Sequence, residues 1–294
     1  MNSLFVCNTS SDCISKINLD IFKEICRIDL KGSGDSKIGP HGICKYKNNI
    51  ITANSYSNNV SLINIEGEIN ISHKFIGMHC NDVVACDKKA FVICGDLNSV
   101  IVLDLITMKM IEVIPCGNQP HSISINVDKK ILLVSNINND SISLIDIKNR
   151  NNYFNIRVGA YPTKAIFTLD GKSILVCESN IGSDYKGCIS IISLKSLKIV
   201  HRIPVGNSPT DMYCDENFLY VSNFGDGTVS IIDINNYKEI KKIIVGGMPR
   251  GIISLGHNLY IGDNYNNLLI NVDYTNEGKK NIPIGGEPTG MILV

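Results

Sequence analysis

Ile203-Pro204-Val205-Gly206, Pro209-Thr210-Asp211-Met212, Leu219-Tyr220-Val221-Ser222-Asn223, Thr228-Val229-Ser230-Ile231-Ile232-Asp233, Ile243-Ile244-Val245-Gly246 and then Pro249-Arg250-Gly251-Ile252: this stretch decides the fold. Apolar residues alternate with small or polar ones at a period of two, and each run ends in Asn, Asp or Gly. That is the pattern of half-buried β-strands separated by turns. No segment keeps a 3.6-residue apolar period, so helices are expected to be nearly absent.

Working outward, the proline segment recurs as Pro40-His41-Gly42-Ile43, Pro120-His121-Ser122-Ile123, Pro162-Thr163-Lys164-Ala165 and Pro288-Thr289-Gly290-Met291. A degenerate copy, Met78-His79-Cys80-Asn81-Asp82-Val83, reads with Met78 in the proline position. Seven copies at a period of roughly 42 residues match the four-stranded blade of a propeller. The expectation is an all-β, seven-bladed β-propeller with four-stranded antiparallel blades. Residues 3–30 supply only the last three strands of a unit (Leu4–Asn8, Cys13–Leu19, Ile25–Leu30), and 288–294 supply a lone first strand. Pairing the C-terminal strand with the N-terminal ones removes two exposed edges, so 1–294 reads as one domain closed by that pairing.

Val134-Ser135-Asn136, followed after five residues by Ile142-Ser143-Leu144-Ile145-Asp146, and Ile243-Ile244-Val245-Gly246 leading into Pro249-Arg250-Gly251 resemble the YVTN repeat. That repeat occurs in propellers of the YncE type and in surface-layer proteins, and the likeness covers essentially the whole chain. It implies a WD40-like repeat protein of propeller fold. Because the shared residues are turn and core residues, it implies little about activity. The fold family also neighbours cytosolic lactonase propellers, but no motif here carries lactonase catalysis across.

Composition narrows the function classes. Lys+Arg 28 balance Asp+Glu 28, and the charges are interspersed, so no global field favours nucleic acid or an anionic membrane. No apolar run reaches the roughly 18 residues of a membrane span. The N-terminus has no basic start and no long apolar core, so no signal peptide is expected. The chain is therefore read as soluble and cytoplasmic, with a spore or cell surface as the alternative. The eleven cysteines form no C-x-x-C pair, and Cys44, Cys86, Cys94, Cys177 and Cys214 sit in apolar runs. They read as reduced core thiols. Nucleophile-elbow, phosphate-loop and dinucleotide fingerprints are missing. Tryptophan is absent, which weakens a quinone-cofactor reading.

Strand direction places fourth-to-first and second-to-third loops at one end of the channel. The two longest such loops, Lys31–Gly39 and Ser179–Gly187 with Tyr185 in it, mark that end as the working face. The residue after each repeat proline is expected at the mouth: His41, His79, His121, Thr163, Thr210, Arg250 and Thr289. Three imidazoles on consecutive blades could hold a divalent transition metal with an open position. Asp82, Lys164 and Asp211, just inside, and Asp96, Glu178 and Asp263, ending second strands, add groups for acid–base chemistry or anion binding. The recurring Asn8, Asn54, Asn136 and Asn223 read as scaffold turns. The opposing reading of the histidines is that each imidazole merely bonds a neighbouring blade.

The leading functional expectation is a binding or interaction module that takes a small molecule, peptide or protein partner at the mouth. The second is a metal-assisted hydrolase or lyase on His41, His79 and His121, with Arg250 holding substrate. The third is a structural protein of a cell or spore surface.

Overall fold

The computed structural model describes residues 2–32, 36–150, 152–182 and 185–294. Seven four-stranded antiparallel sheets form a ring. The first blade orders its strands β28(Pro288–Leu293)-β1(Ser3–Asn8)-β2(Cys13–Asn18)-β3(Lys23–Asp29). The next begins at β4(Pro40–Tyr46) and continues with β5(Asn49–Asn54), β6(Asn59–Asn64) and β7(Ile71–Phe75). The third runs from β8(Cys80–Cys86) and β9(Lys89–Cys94) to β10(Ser99–Asp104) and β11(Lys109–Pro115). The remaining four begin at β12(Pro120–Asn126), β16(Pro162–Phe167), β20(Pro209–Cys214) and β24(Pro249–Leu255). One 3₁₀ turn, Gly95–Leu97, is the only helical element among the described residues.

The expected closure is present: Leu4 faces Leu293, Phe5 faces Ile292 and Val6 faces Met291 across the β1–β28 pair. Without it β1, whose six residues are all buried, would be a bare edge.

Each sheet is buried on both faces, because a blade is sandwiched between two others. Among the described residues seven apolar clusters result, each shared by neighbouring blades. Val176, Leu133 and Ile142 pack with Ala165 and Ile192 in one of them, and Phe5, Ile14 and Ile28 with Ile50 and Ile63 in another. The second and third strands therefore read as near-continuous Ile/Val/Leu runs. The fourth strands alternate exposed and covered residues at the rim.

A repeated buried amide ties strands within a blade. Asn54 Nδ2 donates to Ser61 Oγ at 2.7 Å, Asn136 to Ser143 at 3.0 Å, and Asn223 to Ser230 at 2.8 Å. Ser on the third strand supplies the acceptor for that amide. The scaffold expectation for these asparagines holds, although they are fully buried strand ends rather than exposed turn residues.

Every first-to-second strand pair carries a register shift immediately after its first residue. Pro40 faces Asn54 and Gly42 faces Ala53, leaving His41 unpaired; Pro120 and Ser122 leave out His121 in the same way. Such bulges re-aim a side chain at a sheet's end, and here they turn one residue per blade toward the channel mouth.

Candidate functional site

The third blade corrects the alignment made from sequence. Cys80 faces Cys94, as Pro40 faces Asn54, and Asp82 faces Ile93. Cys80, not Met78, therefore holds the proline position, and Asn81, not His79, is the residue turned out by the bulge. His79 belongs one step earlier, with Gln119, Tyr161 and Glu287. All four have positive φ. Their backbone N–H groups are accepted by Asn58, Asn98, Asp140 and Asn267 of the preceding blade. The mouth ring accordingly reads Thr289, His41, Asn81, His121, Thr163, Thr210 and Arg250.

The correction breaks the three-histidine set. His79 stands on the rim, where it lines the second cavity beside Tyr161 and Glu287, its Nδ1 3.7 Å from Asp96. No group of three His, Cys, Asp or Glu among the described residues is close enough to hold a metal ion. His41 and His121 do converge, with ring centroids 6.0 Å apart and edge to face.

Most of the ring stitches blade to blade. Thr163 Oγ1 donates to Pro209 O at 3.0 Å, and Thr289 Oγ1 donates to His41 O at 3.1 Å. The histidines share this duty: His41 Nδ1 lies 2.9 Å from Asn81 O and His121 Nδ1 2.7 Å from Thr163 O. A carbonyl can only accept, so Nδ1 carries the proton in both rings and Nε2 keeps its lone pair. Burial first, then the Arg250 charge, hold His41 well below the usual imidazole range and His121 down at about 4. Both are neutral at pH 7.

Arg250 departs from the stitching. Its NH2 group donates to His41 Nε2 at 3.0 Å. Among the described residues it has no carboxylate within ion-pair distance, although the electrostatic influence of Asp211, Glu287, Tyr56 and Tyr161 reaches it. Burial lowers its pKa, yet a guanidinium keeps its proton in any protein environment.

One step inward, Gly290, Gly42, Asp82, Ser122, Lys164, Asp211 and Gly251 form a second ring. Lys164 Nζ lies 3.5 Å from Asp211 and 3.8 Å from Asp82. Burial works against its charge, but the two carboxylates outweigh that and raise its pKa. Burial raises Asp82, with Lys164 pulling partly back. Asp82 also accepts from the Val83 and Ile123 N–H groups, at 2.9 and 3.1 Å. Gly42 is required beside it, because a Cβ there would fall on the Asp82 carboxylate.

The two rings divide the channel. A cavity of about 390 Å³ is lined by His41, Asp82, His121, Lys164, Asp211 and Arg250, and continues along Tyr213, Ile253 and Leu293. A second, of about 330 Å³, opens above His41, His121 and Arg250 between Tyr56, Tyr161 and Glu287. Those three side chains line both, so they form the floor of one and the roof of the other.

Other expected site residues stand elsewhere. Glu178 ends β17(Ser173–Glu178) in the place of the repeat Asn; it is buried and accepts Gly159 N–H at 2.8 Å. Asp263 does the same for Met248 N–H at 3.1 Å. Glu178 acts as scaffold between blades, its carboxylate oxygen replacing the amide oxygen that Asn223 offers Gly206, and Asp263 also accepts the Tyr265 and Asn266 N–H groups of its own turn. Tyr185 is exposed and lines neither channel cavity. Ser33, Gly34, Asp35, Ser183 and Asp184, in the two long loops, lie outside the described residues. No described residue of either loop lines the cavities. What the sequence reading missed at the mouth was the rim pair Tyr56 and Tyr161, which no repeat feature signals.

A ring of seven four-stranded blades around a polar channel defines a seven-bladed β-propeller. The solved structures it resembles share little sequence with it. A protein of unknown function from Desulfotomaculum acetoxidans superposes with a TM-score of 0.81 at 16% identity, covering 100% of this chain and 99% of its own. A candidate 6-phosphogluconolactonase from Bacteroides fragilis gives 0.80 at 15%, covering 100% and 98%. Hydrazine synthase from Kuenenia stuttgartiensis gives 0.78 at 17%, covering 96% and 92%. No family model matches the chain, and no curated protein matches it in sequence. At these identities the likeness establishes the fold alone. No helix among the described residues is long and apolar enough to cross a membrane.

Proposed function

We propose that this protein is a binding module that seats a small molecule in the mouth of its channel. One observation carries the reading: the six charged or imidazole side chains that break the repeat all line the channel cavities, beside the threonines and glycines that keep it. His41, His121 and Arg250 interrupt a ring of hydroxyl and amide stitches, and Asp82, Lys164 and Asp211 interrupt a ring of Gly and Ser. A scaffold needs none of these six substitutions, since the other blades close without them. Together the cavities offer the volume of a small-molecule site, enclosed by a rigid ring.

The sequence kinship that goes with this reading is the YVTN-repeat type, on the strength of the repeated strand strings. A cytoplasmic setting goes with it too, supported by the placing of most of the cysteines in buried strand positions.

The test is a small-molecule screen read by thermal shift on the native protein and on His121→Ala, Arg250→Gln and Tyr185→Ser. Ligands of the mouth should stabilise the native protein and Tyr185→Ser alike. They should lose at least tenfold in affinity, about 1.4 kcal/mol, in the other two. Ligands that bind all four proteins equally would place the working surface elsewhere.

A further inference from the structure

We propose that the mouth recognises a small anion, whose carboxylate or phosphate group docks on Arg250 and which places a hydroxyl or N–H donor against His121 Nε2. This rests on the binding reading above and names the chemical class of its ligand.

The argument begins with which charges are already answered. Lys164 has Asp211 and Asp82 on either side, and both carboxylates also accept backbone N–H groups. That trio is closed on itself. On the rim, His79 has Asp96. Arg250, the other cation lining the channel, has no carboxylate at ion-pair distance among the described residues, and the hydrogen bond it makes there goes to a neutral imidazole. Glu287 stands on the same rim and lines the same cavity, but makes no ion pair with Arg250.

A guanidinium carries five N–H donors in a planar fork matched to the two oxygens of a carboxylate or phosphate. Keeping such a cation half-buried and without a counter-ion is unfavourable, and nothing in the blade geometry demands it, because a threonine occupies the same position in three other blades. The adjoining groups add direction. With Nδ1–H fixed on a backbone carbonyl, His121 Nε2 is an acceptor, and it makes no hydrogen bond among the described residues. His41 Nε2 is already taken by Arg250, and so holds the fork in place. The ligand thus meets one cation and one lone pair. That combination suits an anion bearing a hydroxyl or amino group and disfavours a simple cation.

The size of the site sets a further bound. Cavities of about 390 and 330 Å³ above and below the same three side chains accept a compact organic acid or phosphate ester rather than a folded partner.

The experiment titrates the full chain with inorganic phosphate, with malonate and with lactate, each in a low-chloride buffer. Binding is read by calorimetry and by the imidazole carbon-bound proton signals of His121. At least one of the three should saturate a single site, shift the His121 signals and weaken at least tenfold in Arg250→Gln. Phosphate alone binding would assign a phosphate ester; malonate or lactate alone would assign a carboxylate. Tighter binding of lactate than of malonate would confirm the donor at His121. Arg250→Gln and Arg250→Met, each of which removes an unanswered charge, should melt no lower than the native protein, so loss of binding in either would not reflect loss of fold. The anion assignment fails if none of the three shifts His121 while a neutral or cationic ligand from the screen does; in that case the binding reading survives. If nothing shifts His121, both fail.

Discussion

Acid should weaken the ring through His121, and the size of the effect follows from where the imidazole sits. In the unfolded chain its pKa is near 6.5; in the fold, burial and then the Arg250 charge hold it at about 4. Above about pH 6.5 the ring is neutral in both states and contributes no penalty. As pH falls from there to about 4, the unfolded chain takes up a proton that the folded chain refuses, so stability is progressively lost. At about 1.4 kcal/mol per pH unit the full span amounts to about 3 kcal/mol. That is a ceiling, since His121 lines a wet channel. Asp82 acts oppositely: its pKa is raised in the fold, so acid relieves a penalty there. Comparing native protein with His121→Gln cancels that contribution. Urea unfolding from pH 7 to about 4 should show the native protein losing about 2–3 kcal/mol more than the variant. The His121 midpoint, followed by NMR, should rise in Arg250→Gln, because removing the cation leaves burial as the main cause of the depression. Parallel pH profiles for native and variant, or a native midpoint above 6, would refute the neutral-imidazole description of the mouth.

Three further outcomes are expected. Deleting Pro288–Val294 exposes β1, whose Leu4, Phe5 and Val6 are buried, so the truncated chain should aggregate or melt far below the native protein; unchanged melting would contradict closure by β28. Glu178→Ala leaves the Gly159 N–H without its acceptor and should cost about 1–3 kcal/mol in unfolding experiments with ligand affinity per folded molecule intact; a loss of affinity without a loss of stability would return Glu178 to the site. Thiol titration should find few reactive groups in native protein and close to eleven after unfolding, because most are buried and burial pushes thiols such as Cys177 and Cys116 up to about 12. Rapid modification of most thiols in the native state would refute this.

The fold was legible because every blade restates it. Strand periodicity, the Asn-to-Ser step and the glycine after the fourth strand each recur, so the blade count and the closure could be read without side-chain geometry. The mouth was only partly legible. His41, His121 and Arg250 were found because they follow a proline that the repeat supplies. His79 was misplaced because the third blade has Cys80 and Cys94 where the blades on either side have Pro and Asn, erasing both landmarks at once. Counting back from the second strand, by the interval that separates Pro40 from Asn54 and Pro249 from Asp263, would have reached Cys80. Glu178 and Asp263 were misread for a different reason. A carboxylate at a strand end looks the same in sequence whether it faces a channel or replaces an amide between blades, and only the direction of the side chain separates the two. The lack of an ion-pair partner for Arg250 was likewise invisible, since it depends on what the other six blades place around it.

The central claim, that this channel mouth holds a small anionic molecule on Arg250, is tested most directly by asking what the protein retains. Native protein, Arg250→Gln and Thr163→Val, each dialysed to equilibrium against a deproteinised extract of small metabolites, are compared by mass spectrometry. Thr163 serves as the control because it lines the same cavity but its hydroxyl is already committed to Pro209 O of the next blade. The account predicts an anionic compound enriched by the native protein and by Thr163→Val, and at least tenfold less by Arg250→Gln. Enrichment of neutral or cationic compounds only, or of the same anion equally by Arg250→Gln, would contradict it.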